Sequence, residues 1–119
     1  MAEFLLLLHK PAAARTFSPE ELQNLVERYA GWTKGLATRG KLLGGQKLRD
    51  GEGRVLKKQG GETSVVDGPY AELKEVIGGA FHIVAEHYDE AVEIARNCPH
   101  LEYGGAIEVR QIERDAMRQ

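Results

Sequence analysis

The run Phe4-Leu5-Leu6-Leu7-Leu8 restricts this chain more than any other feature, because it is apolar at both parities. Successive side chains of a strand point to opposite faces, so a half-exposed strand alternates, and a run of this kind calls for cover on both sides. Glu3 stands where a signal segment would carry basic residues, no small-residue cleavage site follows, and the run is far below membrane-spanning length. It reads as a strand buried on both faces.

The next signal is Ser18-Pro19-Glu20-Glu21, a capping serine with proline at the first helical position and a glutamate placed to reach back. Leu22, Leu25, Val26, Tyr29, Trp32 and Leu36 follow at helical spacing, and Gly40 is placed to end the helix. Gly31 and Gly35 weaken its middle and are expected to serve close packing. From 41 to 67, paired glycines separate short segments over Lys41–Leu48, Arg54–Lys58 and Thr63–Asp67, read as strands with a polar edge hairpin among them. Asp67-Gly68-Pro69 makes a turn, Ala71–Val76 a helical turn, and Ala80–Glu86 a strand. Asp89 is placed to cap a second helix with Ala91, Val92, Ala95 and Cys98 on one face, which Pro99 stops. Ala106–Ile112 completes the series as a strand with Ile107 and Val109 on one face and Glu108 and Arg110 on the other.

Strand, long helix, strand with inserted hairpin, strand, helix, strand is an α+β order matching the ferredoxin-like β-α-β-β-α-β arrangement. At 119 residues the chain is expected to form one domain spanning 1–119. Two helices cover only one face of such a sheet, so the doubly apolar first strand predicts a homodimer closed through the open sheet face. A cavity is then expected between the two sheets, or between each sheet and its hairpin.

Sixteen basic against eighteen acidic side chains, a net charge of −2, argue against nucleic acid and against an anionic membrane surface as partners. RNA binding on the sheet face would also need paired aromatics, which Phe81 alone does not supply. A single cysteine, Cys98, on an apolar helix face reads as core and points to a reducing compartment, the cytoplasm. His82, His87 and His100 lack metal-ligand spacing, and no glycine pair precedes a helix as a phosphate cradle, so no metal and no cofactor are expected.

The candidate chemistry lies on the second sheet face. There His82 and His9 are candidate bases, Arg110 beside Glu108 is a two-pronged carboxylate anchor, and Val84 adds an apolar patch. An adjacent Glu108 and Arg110 also reads as a structural ion pair. Asp67 is placed to orient or donate at a cavity mouth, with Tyr70, Glu72 and Lys74 as further substrate-binding candidates, though charge on a short helix also reads as a solvated face.

The stretch Val66-Asp67-Gly68-Pro69-Tyr70-Ala71-Glu72-Leu73-Lys74-Glu75-Val76-Ile77-Gly78-Gly79 resembles the YCII-related family, in the branch named for its Asp-Gly-Pro-Phe motif. The resemblance continues through Asp89-Glu90-Ala91, Cys98-Pro99 and Gly105-Ala106-Ile107-Glu108-Val109-Arg110. It implies a dimeric α+β barrel of ferredoxin-like subunits. Relatives in the wider family include proteins thought to act on small acids or lactones through a histidine and an aspartate. This chain departs from that pair, having Glu27-Arg28-Tyr29-Ala30 in mid-helix and Cys98 before Pro99. Tyr70 replaces the motif phenylalanine. Members of the branch are often associated with alternative sigma factors. Two functional expectations follow. One is a cofactor-free isomerase or lyase acting on a small carboxylate or lactone by acid–base catalysis. The other is a non-catalytic ligand-binding or regulatory module.

Overall fold

The computed structural model describes residues 1–13, 16–68 and 75–114. Strand β1, Ala2–Pro11, lies inside a four-stranded antiparallel sheet, hydrogen-bonded on one side to β5 (Glu75–Ala85) and on the other to β6 (Ala106–Gln111). Strand β2, Leu42–Lys47, pairs with the far side of β5, giving the order β2-β5-β1-β6. Strands β3 (Arg54–Gln59) and β4 (Glu62–Asp67) form a separate two-stranded sheet. Helix α1 covers Pro19–Thr38, helix α2 Tyr88–Arg96, and a short 3-10 helix Pro99–Tyr103 leads into β6. This is the expected ferredoxin-like α+β order with its inserted hairpin.

Parity along β1 decides where the core sits. Phe4, Leu6 and Leu8 are buried beneath the helices, where they meet Ile83, Ala85, Leu36, Ala91, Ile94 and Ala95. Burying each large side chain stabilises the fold by roughly 1.5–3 kcal/mol. Leu5 and Leu7 point the other way and stay half-buried, because none of the described elements covers that face. The molecule measures only 18 Å along its thinnest axis, and its 16.5 Å radius of gyration exceeds the roughly 13.5 Å of a compact chain of this length.

The Ser18–Glu21 capping box forms as expected, with the serine hydroxyl accepting from Glu21 N and the glutamate accepting from Ser18 N. Gly40 leaves α1 at a φ of 70°, in the left-handed region. Helix α2 differs from expectation at its start, where His87 rather than Asp89 is the cap and its Nδ1 accepts from Glu90 N. An imidazole nitrogen offers the same lone pair as a capping carboxylate, so the helix begins two residues earlier than expected. Ile94 takes the inward place expected of Val92, which is exposed.

Three further expectations change. Strand β5 starts at Glu75 and runs straight through Gly78 and Gly79, so the expected helical turn does not reach Glu75–Val76; its earlier part, with Pro69 to Lys74, lies outside the described residues. A bulge opposite Leu8 and His9 absorbs Gly78 as an extra residue and keeps the ladder paired. Gly31 and Gly35 serve no close packing, since a β-carbon at either would meet nothing within 4 Å. They instead leave open a shallow recess between α1 and α2. By contrast Gly68 is required by close approach, because a β-carbon there would stand 2.5 Å from Val55 Cγ2.

Leu6→Ala is expected to lower the unfolding free energy by ~2–5 kcal/mol in urea titration, whereas Val26→Ala, on the exposed side of α1, should stay within about 0.5 kcal/mol.

Candidate functional site

Helix α1 is held at separated points, the mid-helix Tyr29 stacking over the Phe81 ring at 6.3 Å among them, and leaves a gap to the sheet beside them. Near its C-terminal end Leu36 is buried, Trp32 Nε1 donates to Ile94 O at 3.3 Å, and the Trp32 ring meets Phe81 edge-on at 4.9 Å. Toward its N-terminal half Arg28 grips Glu102 of the 3-10 helix with both guanidinium nitrogens and also reaches Tyr103. Phe17 packs edge-on against Tyr103 at 5.6 Å. Between these fastenings lies a cavity of about 700 Å3, walled by Leu8, Leu25, Tyr29, Leu42, Phe81 and Tyr103 among others. That volume falls within the ~300–1,000 Å3 typical of small-molecule sites.

The cavity therefore lies under α1, on the helix side of the sheet. Neither expected location, between two sheets or beside the hairpin, describes it. Its walls depend on particular glycines. A β-carbon at Gly45 would stand 2.6 Å from the Phe81 ring, and one at Gly105 would stand 2.1 Å from His100 Nε2. Glycine at those positions lets both rings lie flat against the wall.

Polar groups in the wall are largely committed to the protein itself. The Tyr29 hydroxyl bonds to Cys98, and burial pushes both the phenol and the thiol above their ordinary ranges. Thr33 Oγ1 donates to Tyr29 O at 2.9 Å. His100 Nε2 lies 2.7 Å from the His9 carbonyl, so it must carry the proton and donate. At one end of the cavity the charges gather. Lys10 and Lys47 share Asp50 Oδ1, the second at 3.3 Å, and these two ammoniums, Lys10 first, hold the Asp50 carboxyl below its usual range.

The open face carries the residues that the sequence put forward. His82 Nε2 donates to Glu3 Oε1 at 2.6 Å, and Arg114 reaches the same carboxylate. His9 Nε2 donates to Glu108 Oε1 at 2.9 Å, while Arg110 Nη1 donates to Glu108 Oε2 at 3.1 Å. Arg114 then His82 depress Glu3, and His9 then Arg110 depress Glu108. His82, His9, Glu108 and Arg110 thus come together on one face with Leu5, Leu7 and Val84, as charge-paired groups on an open sheet. Asp67 is elsewhere, at the base of the hairpin, paired with Arg54 at 3.3 Å and almost fully exposed. Tyr70, Glu72 and Lys74 lie outside the described residues.

Sequence reasoning missed Lys10, Lys47, Asp50 and the cavity role of His100 and Tyr29. One signal was available: Lys10 continues the inward parity of Phe4, Leu6 and Leu8, and a lysine on a buried face needs a reason. Among the described residues no cluster of histidine, cysteine and carboxylate side chains has the makings of a metal site, and no helix is long and apolar enough to cross a membrane.

The chain is thus an α+β domain of ferredoxin-like order with a mostly apolar cavity under α1 and paired charge at one end of it. The family model of the YCII-related domain matches residues 1–114, so the chain belongs to the YCII-related family. It is similar to an uncharacterized protein of Rhizobium meliloti, 40% identical over 59 residues, which make up 49% of this chain and 48% of that relative. The matched segment thus spans about half of the relative's length.

Two measurements check the electrostatics. Carboxylates held low in the folded state add stability above the usual value of 4.5 and lose it as pH falls through their folded pKa. Glu3→Gln with Glu108→Gln should therefore flatten the acid limb of thermal stability against pH. Cys98, 2% exposed with its thiol pushed up, should resist iodoacetamide at pH about 8 in native protein and react at once in denaturant.

Proposed function

We propose that this protein binds a small organic molecule in the cavity under α1, and that it does so as a homodimer closed through the open sheet face. The observation that carries the binding reading is the cavity itself, about 700 Å3 of mainly apolar wall with charge at one end. Support for the dimer comes from Leu5, Leu7 and Val84 left half-buried on an uncovered face. The charges on that face are already matched, Glu3 with His82 and Arg114, Glu108 with His9 and Arg110, so covering them would strand none unpaired. On this reading His82, His9, Glu108 and Arg110 serve the interface, and Asp67 holds the hairpin base. The chain falls in the Asp-Gly-Pro-Phe branch by its motif, and one buried thiol suits the cytoplasm.

Between a non-catalytic ligand-binding or regulatory module and a cofactor-free isomerase or lyase, the committed polar groups of the wall favour the module. A regulatory link to alternative sigma factors would be one use of it. A specific observation supports the enzymatic reading too. With the proton fixed on Nε2 by the His9 carbonyl, His100 keeps Nδ1 as a lone-pair acceptor, which is what a base needs.

Thermal shift against a panel of carboxylates, lactones and aromatic acids tests the binding reading, because a ligand of the native state raises the midpoint. Ala30→Trp, which projects a large ring into the cavity from α1, should abolish every genuine shift while leaving the unliganded protein folded. Shifts that survive it, or a flat panel, would overturn the assignment. Leu5→Glu with Leu7→Glu should convert the dimer to a 13.2 kDa monomer in sedimentation, and a monomeric wild type would remove the dimer. If a hit is turned over, His100→Asn should stop turnover without stopping binding.

A further inference from the structure

We infer that the ligand of this cavity is an amphipathic carboxylate, an apolar body with one anionic end, bound with its carboxylate on Lys10 and Lys47 in competition with Asp50. The inference rests on the reading of the cavity as a binding site and adds its ligand class and orientation.

The depth of the cavity selects an apolar body. Leu8, Leu22, Leu25, Leu42 and Phe81 line it, and the polar wall groups Tyr29, Thr33 and His100 have protein partners. A ligand anion or other acceptor placed there would be stripped of water with no donor in return, because the Tyr29, Thr33 and His100 Nε2 protons are already spent, which is strongly unfavourable. The ligand's polar end therefore belongs at the charged end, where side chains are wetter: Lys10 is 29% exposed, Asp50 56% and Lys47 72%.

The composition of that end selects the sign. Two ammoniums share one carboxylate oxygen, leaving a surplus of one positive charge in this cluster of described residues. Each ammonium has three protons to donate, so one carboxylate does not saturate the pair. Lys47 spends another on Leu48 O at 3.0 Å, and a second anion fits beside Asp50 or in its place. Lys10 is built to stay there. Its stem lies across Gly78, where a β-carbon would stand 3.0 Å from Cδ, so the chain runs along the cavity wall instead of out from the sheet edge. A cationic ligand would face both lysines, and a neutral one would forgo the unsaturated ammonium donors of the charged end.

Calorimetric titration of the purified full chain with decanoate, decanol and decylamine, three ligands sharing one tail, tests this. Decanoate should bind at least roughly tenfold more tightly than decanol, and decylamine more weakly than either. Lys10→Met, which keeps the stem, should weaken decanoate by roughly tenfold and leave decanol unchanged. Asp50→Asn should tighten decanoate, because it removes the competing carboxylate. Equal affinity for decanoate and decanol, or weaker decanoate binding by Asp50→Asn, would overturn the ligand class. The control with Ala30→Trp separates the two failures. Equal, tail-dependent binding that Ala30→Trp abolishes would retain the cavity and reject the carboxylate, whereas binding unaffected by Ala30→Trp, or none at all, would reject both.

Discussion

The architecture depends on one asymmetry, that β1 is hydrogen-bonded along both edges but packed by helices on only one face. Backbone pairing with β5 and β6 satisfies its amides, and Phe4, Leu6 and Leu8 anchor both helices to it. Everything on the other face, from Leu5 and Leu7 to the histidine–carboxylate pairs, is left uncovered by the described elements. The same strand ends in Lys10, so the element that organises the core also delivers a charge to the cavity mouth.

The cavity exists because α1 is held at points and not along its length. A helix with the inward run of Leu22, Leu25, Tyr29, Trp32 and Leu36 would ordinarily lie flat on a sheet. Here Leu22 and Val26 stay exposed, and only Leu36 is buried. The Arg28–Glu102 fork and the Phe17–Tyr103 contact hold the N-terminal half over the 3-10 helix, at a distance from β2 and β5 that leaves room for a molecule. Glycines at 45 and 105 then let Phe81 and His100 flatten against the wall, which widens the space without loosening the sheet.

The fold was readable in the sequence because its signals are local. The Ser18–Glu21 box, the glycine-bounded strands and the alternation in β6 each report on neighbouring residues only. The site was much less readable, since it is made by distances between elements. His9, His82, Glu108 and Arg110 were recognised as sharing a face, because parity alone decides that. Lys10, Lys47 and Asp50 come from β1, β2 and the loop that follows, and no pattern within any one segment joins them. Strand β5 adds a second obstacle. Its bulge at Gly78 reverses parity, so Ile77 lies opposite His9 on the open face although Gly79 and Phe81 lie toward the helices. A reading that carries one phase through the strand misplaces everything before the bulge.

The separate hairpin of β3 and β4 gives the molecule two levels of local stability. A two-stranded ladder in which Val55 alone is half-buried and the other residues are exposed has little apolar burial to keep it closed, and such ladders are marginal by themselves. With so little buried, its hydrogen bonds are expected to open locally at a lower free-energy cost than those of β1, whose Phe4, Leu6 and Leu8 belong to the core. Because no strand is shared between the two sheets, loosening of the hairpin need break no hydrogen bond of the core ladder.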